Sequence, residues 1–174
     1  MRYLNEIRFA VAIVIGLIAA VWDVKYRKIP NWLTFPAMIA GVLLNELGNY
    51  HDWSFPLLGL AVGFLLLVIP HLCGGIGAGD VKLLMALGAV LGPKGVFGTT
   101  IYGAVAGGLL SFGLLARCYG LNRAWYRLFL LIQAVWNPGC RQQLRQQATG
   151  AKLYIPYGIA ITAGLFYYVL SGPR

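Results

Sequence analysis

Five acidic residues stand in this chain of 174, and two of them, Asp23 and Asp80, sit where long apolar runs end or begin. Each is followed by the same pair, Asp23-Val24-Lys25 and Asp80-Val81-Lys82, a match too short to establish a repeat. Two carboxylates brought together at a partly desolvated site cannot both ionise cheaply, so one keeps its proton while the other accepts one. Such a pair can hydrolyse a peptide bond. The ionised member takes a proton from water as the water attacks the carbonyl carbon, and the protonated member donates to the forming oxyanion. That chemistry needs no metal and no other cofactor. Rival chemistry is poorly supplied, because an activated Ser or Cys needs a base and the histidines are only His51 and His71. His71 and Cys73 lack a second ligand pair nearby, which favours packing or local hydrogen bonding over metal binding. Cys73, Cys118 and Cys140 form neither a C-x-x-C pair nor an even disulfide set.

Asp80 closes the stretch Gly74-Gly75-Ile76-Gly77-Ala78-Gly79-Asp80, in which four glycines precede it within six residues. Each glycine costs a helix interior about 1 kcal/mol relative to Ala. Two readings stand side by side. In one, the glycines turn the chain and Asp80 caps a helix opening at Val81. In the other, they keep the backbone slim and bendable so that a peptide can lie beside Asp80. For Asp23 the plain alternative is an i,i+4 ion pair with Arg27.

The elements that must position these acids are membrane spans. Apolar residues make up 59% and charged residues 11%, against about 25% charged in a soluble domain, and the mean hydropathy is +0.72. An all-α, polytopic bundle of about six spans is expected, as one membrane-embedded domain over residues 1–174. The apolar runs are 9–22, 32–47, 55–72, 81–91, 96–116 and 153–170. The first is read as a retained span, since Val21-Trp22-Asp23 is a poor signal-cleavage site. Asp23 to Asn31 reads as a juxtamembrane loop, with Pro30 biasing Ile29 away from helix. Gly59 and Gly63 give a small-x-x-x-small spacing suited to close packing. The run 81–91 is too short to cross alone, at roughly 17 Å. Polar backbone at that depth must be buried in protein or face a wet cavity, which points to a water-accessible cavity around Asp80 at the glycine-rich break before the fourth run. Residues 117–152 carry six cations and no acid, and the aromatic stretch 124–136 within them reads as an amphipathic segment lying along the interface.

If spans alternate, one side of the membrane holds ten of the fourteen Lys and Arg, among them Lys25, Arg27, Lys28 and Lys82. The positive-inside rule makes that side cytoplasmic and puts both termini outside. The net charge of +9 thus follows topology and attraction to anionic lipid, with no nucleic-acid partner implied. Glu6, Glu46 and Asp52 fall on the outer side, which leaves Asp23 and Asp80 as the two acids facing the cytoplasm.

Gly77-Ala78-Gly79-Asp80 resembles the G-x-G-D motif of membrane-embedded aspartic proteases. Asp23 followed by Arg27, Ile29, Pro30 and Asn31 is similar to the first-aspartate motif of type IV prepilin peptidases, and Ile155-Pro156-Tyr157-Gly158, followed by Gly164, resembles the opening of their last span. The resemblance covers nearly the whole chain. It implies cleavage of a short, basic, glycine-ended leader from prepilins at the cytoplasmic face of the bacterial inner membrane, in pilus biogenesis and protein secretion. It assigns Asp23 and Asp80 as the catalytic pair, with Gly77, Gly79, Lys82, Arg27, Pro30, Asn31, Pro156, Tyr157 and Gly158 as support. Larger bifunctional members also methylate the new N-terminus and usually carry paired C-x-x-C motifs. This chain has none and starts a few residues before its first span, so methylation is expected to be absent, as in the compact Tad or Flp pilus peptidases. Ile159 stands where many relatives have Pro.

The rival of another class is a small proton-coupled transporter using Asp23 and Asp80 near a broken helix. It needs neither Pro30-Asn31 nor Pro156-Tyr157-Gly158. A scaffold subunit of a secretion machine would leave both acids replaceable. For the basic stretch 117–152, docking on anionic lipid or on pilus assembly machinery is the expectation.

Overall fold

The computed structural model describes residues 2–46, 53–72, 76–120 and 157–172. They form α1 (Arg2–Tyr26), α2 (Asn31–Asn45), α3 (Ser54–Leu72), α4 (Ala78–Tyr119) and α5 (Tyr157–Leu170), with no strand among the described residues. The chain divides into two compact units, Met1–Gly107 with Pro156–Arg174, and Gly108–Ile155. All that follows concerns the first. Of the second, residues 108–120 are described, as the last part of α4 and Gly120. The expected interfacial segment at 124–136 lies outside the described residues. Three stretches, Asn5–Tyr26, Ser54–Leu72 and Ala78–Leu114, are long and apolar enough to cross a membrane, and α5 is a shorter apolar helix. Their outward faces carry exposed Val14, Leu17 and Val21 on α1 and Leu58, Leu65 and Ile69 on α3. Such a surface suits lipid and not water, and the protein is an integral membrane protein.

α1 outruns its apolar stretch at both ends. Hydropathy marks the part that suits lipid, whereas the hydrogen-bond ladder continues through polar residues, and the 25 residues of α1 reach roughly 37 Å. The helix stops where Arg27 takes φ 54, in the left-handed region, and its N–H donates to the Asp23 carbonyl at 2.8 Å. Asp23 therefore lies in the last turn of α1, which corrects the expected loop from Asp23 to Asn31. Only residues 27–30 join the two helices. Pro30, at φ −75 and ψ 144, caps α2, its carbonyl accepting from the Leu33 and Thr34 amides at 3.2 and 3.4 Å.

α4 is the centre of this unit. In its first half Leu83, Leu84, Ala86, Leu87, Ala89 and Val90 are all fully buried, as befits a helix apolar on every face. Gly59 and Gly63 of α3 lie against it as their spacing suggested. A Cβ at Gly59 would collide with the Gly88 carbonyl, and one at Gly63 would meet the Leu84 carbonyl oxygen at 2.6 Å. At Gly92 the backbone leaves the helix, with φ 74 and ψ −179, and the Phe55 ring fills the space a Cβ would take. Beyond it the chain runs back. Gly98 packs on Tyr168, Gly103 on Ala160 and Gly107 on Ala160 and Tyr157, in reverse order along α5. The runs expected as the fourth and fifth spans are thus two helical arms folded at Gly92-Pro93 with no loop between. Among the described residues the elements number five, against the about six spans expected.

That fold exposes a cost, because Pro93 has no N–H and the Ala89 carbonyl loses its i+4 donor. Asn45 supplies one. Its Nδ2 donates to Ala89 O at 2.9 Å and to Gly41 O at 2.8 Å, and lies 3.4 Å from Val90 O. α5 packs antiparallel on α1, with Phe9 edge-on to Tyr168 at one end and Asp23 against Gly158 at the other.

Candidate active site

Asp23 is 2% exposed. Its Oδ2 accepts the Gly158 N–H at 3.0 Å, one of the orphan amides of the first turn of α5. The positive end of that helix favours a carboxylate there. Glycine is required at 158 by space. A Cβ would sit 2.9 Å from Asp23 Oδ2 and 3.0 Å from its Cβ.

Asp80 is partly buried in the first turn of α4. It is not the N-cap, which corrects the capped-helix reading: Gly77 holds that position, its carbonyl accepting from the Asp80 and Val81 amides at 3.1 and 3.5 Å. The Asp80 carboxylate turns back towards Gly77, its Oδ2 lying 3.2 Å from where a Cβ on Gly77 would stand. One oxygen, Oδ1, is buried with no protein hydrogen-bond partner among the described residues. Asp23 and Asp80 lie within electrostatic reach of each other. Distant in sequence, the two acids share one end of the bundle.

The link between α1 and α2 packs on the turn that carries Asp80. A Cβ at Gly79 would come within 3.1 Å of Ile29 Cβ and 3.3 Å of its nitrogen, so Gly79 lets the two backbones close. Asn31 Oδ1 accepts from Lys82 Nζ at 2.9 Å, and that ammonium also lies 5.4 Å from the centre of the Phe35 ring. The structure thus joins Gly77, Gly79, Lys82, Pro30 and Asn31 around the Asp80 turn, and Gly158 to Asp23. Tyr157 opens α5 beside Gly107. Arg27 ends α1 with its side chain exposed. Pro156 and Cys73 lie outside the described residues. His71 Nδ1 is 2.9 Å from the Ile76 carbonyl, a local contact across the glycine-rich break. Among the described residues no group of three or more His, Cys, Asp or Glu is placed to hold a metal.

Sequence reading missed Ile29 as a packing partner, and it missed Thr162. The Thr162 hydroxyl lies 2.7 Å from the Gly158 carbonyl and 2.9 Å from that of Gly16. A polar residue within the apolar Ile159–Phe166 stretch was the available signal.

A family model described as the type IV leader peptidase family matches residues 10–112, more than half of the chain and inclusive of both acids. The chain belongs to the type IV leader peptidase family. Among curated relatives, the prepilin leader peptidase/N-methyltransferase of Bacillus subtilis (strain 168) is 36% identical over 100 residues, 53% of this chain and 38% of that protein. The protein of the same name from Xanthomonas campestris pv. campestris is 37% identical over 111 residues, 59% of this chain and 38% of that one. That of Klebsiella pneumoniae is 40% identical over 83 residues, 44% of this chain and 36% of that one. The chain therefore spans well under half the length of the curated relatives it matches. No solved structure matches it. In this member of the leader peptidase family, Gly158 and Thr162 lie beyond the matched range and come to Asp23 through the packing of α5 on α1.

Proposed function

We propose that this chain is an intramembrane aspartic endopeptidase that removes the basic leader of type IV or Flp prepilins, with Asp23 and Asp80 as its catalytic pair. The observation that carries the reading is their convergence, Asp23 held by the Gly158 N–H at the start of α5 and Asp80 in the first turn of α4 within its electrostatic reach. In the reaction one ionised carboxylate takes a proton from water while the water oxygen bonds to the scissile carbonyl carbon. The other carboxyl gives its proton to the carbonyl oxygen. The tetrahedral product collapses as the C–N bond breaks: one of its hydroxyls returns a proton to the ionised carboxylate, the protonated carboxyl gives its proton to the leaving nitrogen, and the pair again shares one proton.

The side carrying Asp23, Asp80, Lys25, Lys28 and Lys82 is proposed to face the cytoplasm of a bacterium across its inner membrane, by the bias of Lys and Arg. The Arg2 end of α1 and the Leu170 end of α5 then lie outside. A substrate's apolar helix approaches through lipid while its leader stays in water. Cleavage without N-methylation is proposed. The basic residues from 117 to 152 are assigned to anionic lipid or to pilus assembly machinery on their charge.

The test is incubation of purified protein in detergent with a prepilin bearing a basic, glycine-ended leader, read by mass spectrometry. A shortened product with an unmodified N-terminus is expected from the native protein and none from folded Asp23→Asn or Asp80→Asn. Retained cleavage by either variant removes the two-aspartate mechanism. Proton flux in vesicles without cleavage would favour the transporter reading.

A further inference from the structure

We infer that Thr162 is a positioning residue that aims the Gly158 amide at Asp23. The inference rests on the peptidase reading for its consequence and on packing for its substance. Gly158 has no side chain by which neighbours can hold it, and glycine backbone is the least restricted of all. Here it is held at both ends. Its N–H donates to Asp23 Oδ2 at 3.0 Å, and its C=O lies 2.7 Å from the Thr162 hydroxyl. The same hydroxyl is 2.9 Å from the Gly16 carbonyl on α1. With one proton it donates to one carbonyl at a time or is shared between them.

Gly16 and Asp23 are two turns apart on α1 and so face α5 together. Contact at Gly16 is close as well, because a Cβ there would come within 3.1 Å of Leu165 Cδ2 and 3.3 Å of Thr162 Cγ2. Thr162 thereby fixes the rotation and axial register of α5 on α1 one turn from Gly158. A hydroxyl bonded only to its own helix, as Thr residues commonly are, would not set that register. Thr162 bridges two helices. Its loss removes the tie to Gly16 and lets the first turn of α5 shift on α1, carrying the Gly158 amide away from the carboxylate.

The test compares Thr162→Val, which keeps the shape without the hydroxyl, with Thr162→Ser, which restores the hydroxyl. Thr99→Val serves as control, since the Thr99 hydroxyl is also buried but has no hydrogen-bond partner among the described residues. With a prepilin substrate, Thr162→Val is expected to lower kcat about tenfold, the effect of roughly one hydrogen bond. KM should stay within about twofold, while Thr162→Ser and Thr99→Val remain close to the native protein. Native kcat in Thr162→Val, or an equal fall in both valine variants, overturns the inference. Hydrogen exchange at the Gly158 amide reads the same contact without substrate. It should quicken about tenfold in Thr162→Val and not in Thr99→Val. Unchanged exchange also overturns the inference. A native protein that cleaves nothing, yet shows the exchange difference, would sink the peptidase reading and leave the positioning role standing.

Discussion

Asn31 Oδ1 accepts the Lys82 ammonium at 2.9 Å, tying the residue that opens α2 to the turn of α4 that follows Asp80. The pair is partly exposed, so its contribution is modest. In a double-mutant cycle of Asn31→Ala and Lys82→Met, a coupling of about 0.5–1 kcal/mol is expected from unfolding in detergent. Zero coupling would mean that α2 and α4 are aligned by Gly41 and Asn45 alone.

Asp23→Asn and Asp80→Asn should each reduce prepilin cleavage by roughly 10²–10⁴-fold. In the proposed mechanism the two carboxylates share one proton in a single step, and on it the double variant should be no worse than the poorer single one. A product of the two separate losses in single-turnover rates would show that the acids act independently.

Gly158→Ala places a methyl 2.9 Å from Asp23 Oδ2, and neither backbone can easily yield. We expect a loss of about 1–3 kcal/mol in stability together with loss of cleavage. Gly107→Ala, whose methyl meets Ala160 Cβ at 3.1 Å, should be milder in both. Thermal unfolding and cleavage rates, measured side by side, check the order.

Asn45→Leu keeps the bulk but leaves the Ala89 carbonyl without its substitute donor. A buried acceptor left unpaired costs about 1–3 kcal/mol. Asn45 is remote from the acids, at the opposite end of α2 from Asn31, so the unfolding midpoint should fall while kcat of the folded fraction holds. A fall in kcat without loss of stability would contradict this.

The two acids and the glycine-rich approach to Asp80 were legible because each breaks a local rule: an acid beside an apolar run, glycines where a helix should begin. Gly59 and Gly63 were legible by spacing. The end of α1 was not, because apolar residues report the depth of lipid while Asp23, Lys25 and Tyr26 still satisfy the helical ladder. Gly92-Pro93 was legible as the break between two runs, but no local pattern says that the chain folds back there without a loop. Gly77 displaced Asp80 as the cap because a backbone carbonyl does that work without a side chain to announce it. Ile29 against Gly79, and Thr162 between Gly16 and Gly158, are contacts between helices, and one chain read in order carries no signal of them beyond an out-of-place threonine.

The fold of α4 at Gly92 bears on how the protein is made. Residues 81–91 span roughly 17 Å, and all but Lys82 and Met85 are buried by their neighbours. Such a segment gains little by partitioning into lipid during synthesis. It is expected to enter the bilayer as one arm of a hairpin, drawn in by the longer arm after Pro93. With Met85→Cys as the single cysteine, Cys73, Cys118 and Cys140 being replaced by Ser, chains ended at Gly92 and released from the ribosome should leave this arm accessible to a water-borne thiol label, and chains extended past Tyr119 should protect it. The meeting of Asp80 with Asp23 in the folded protein then depends on the order in which the two arms are released.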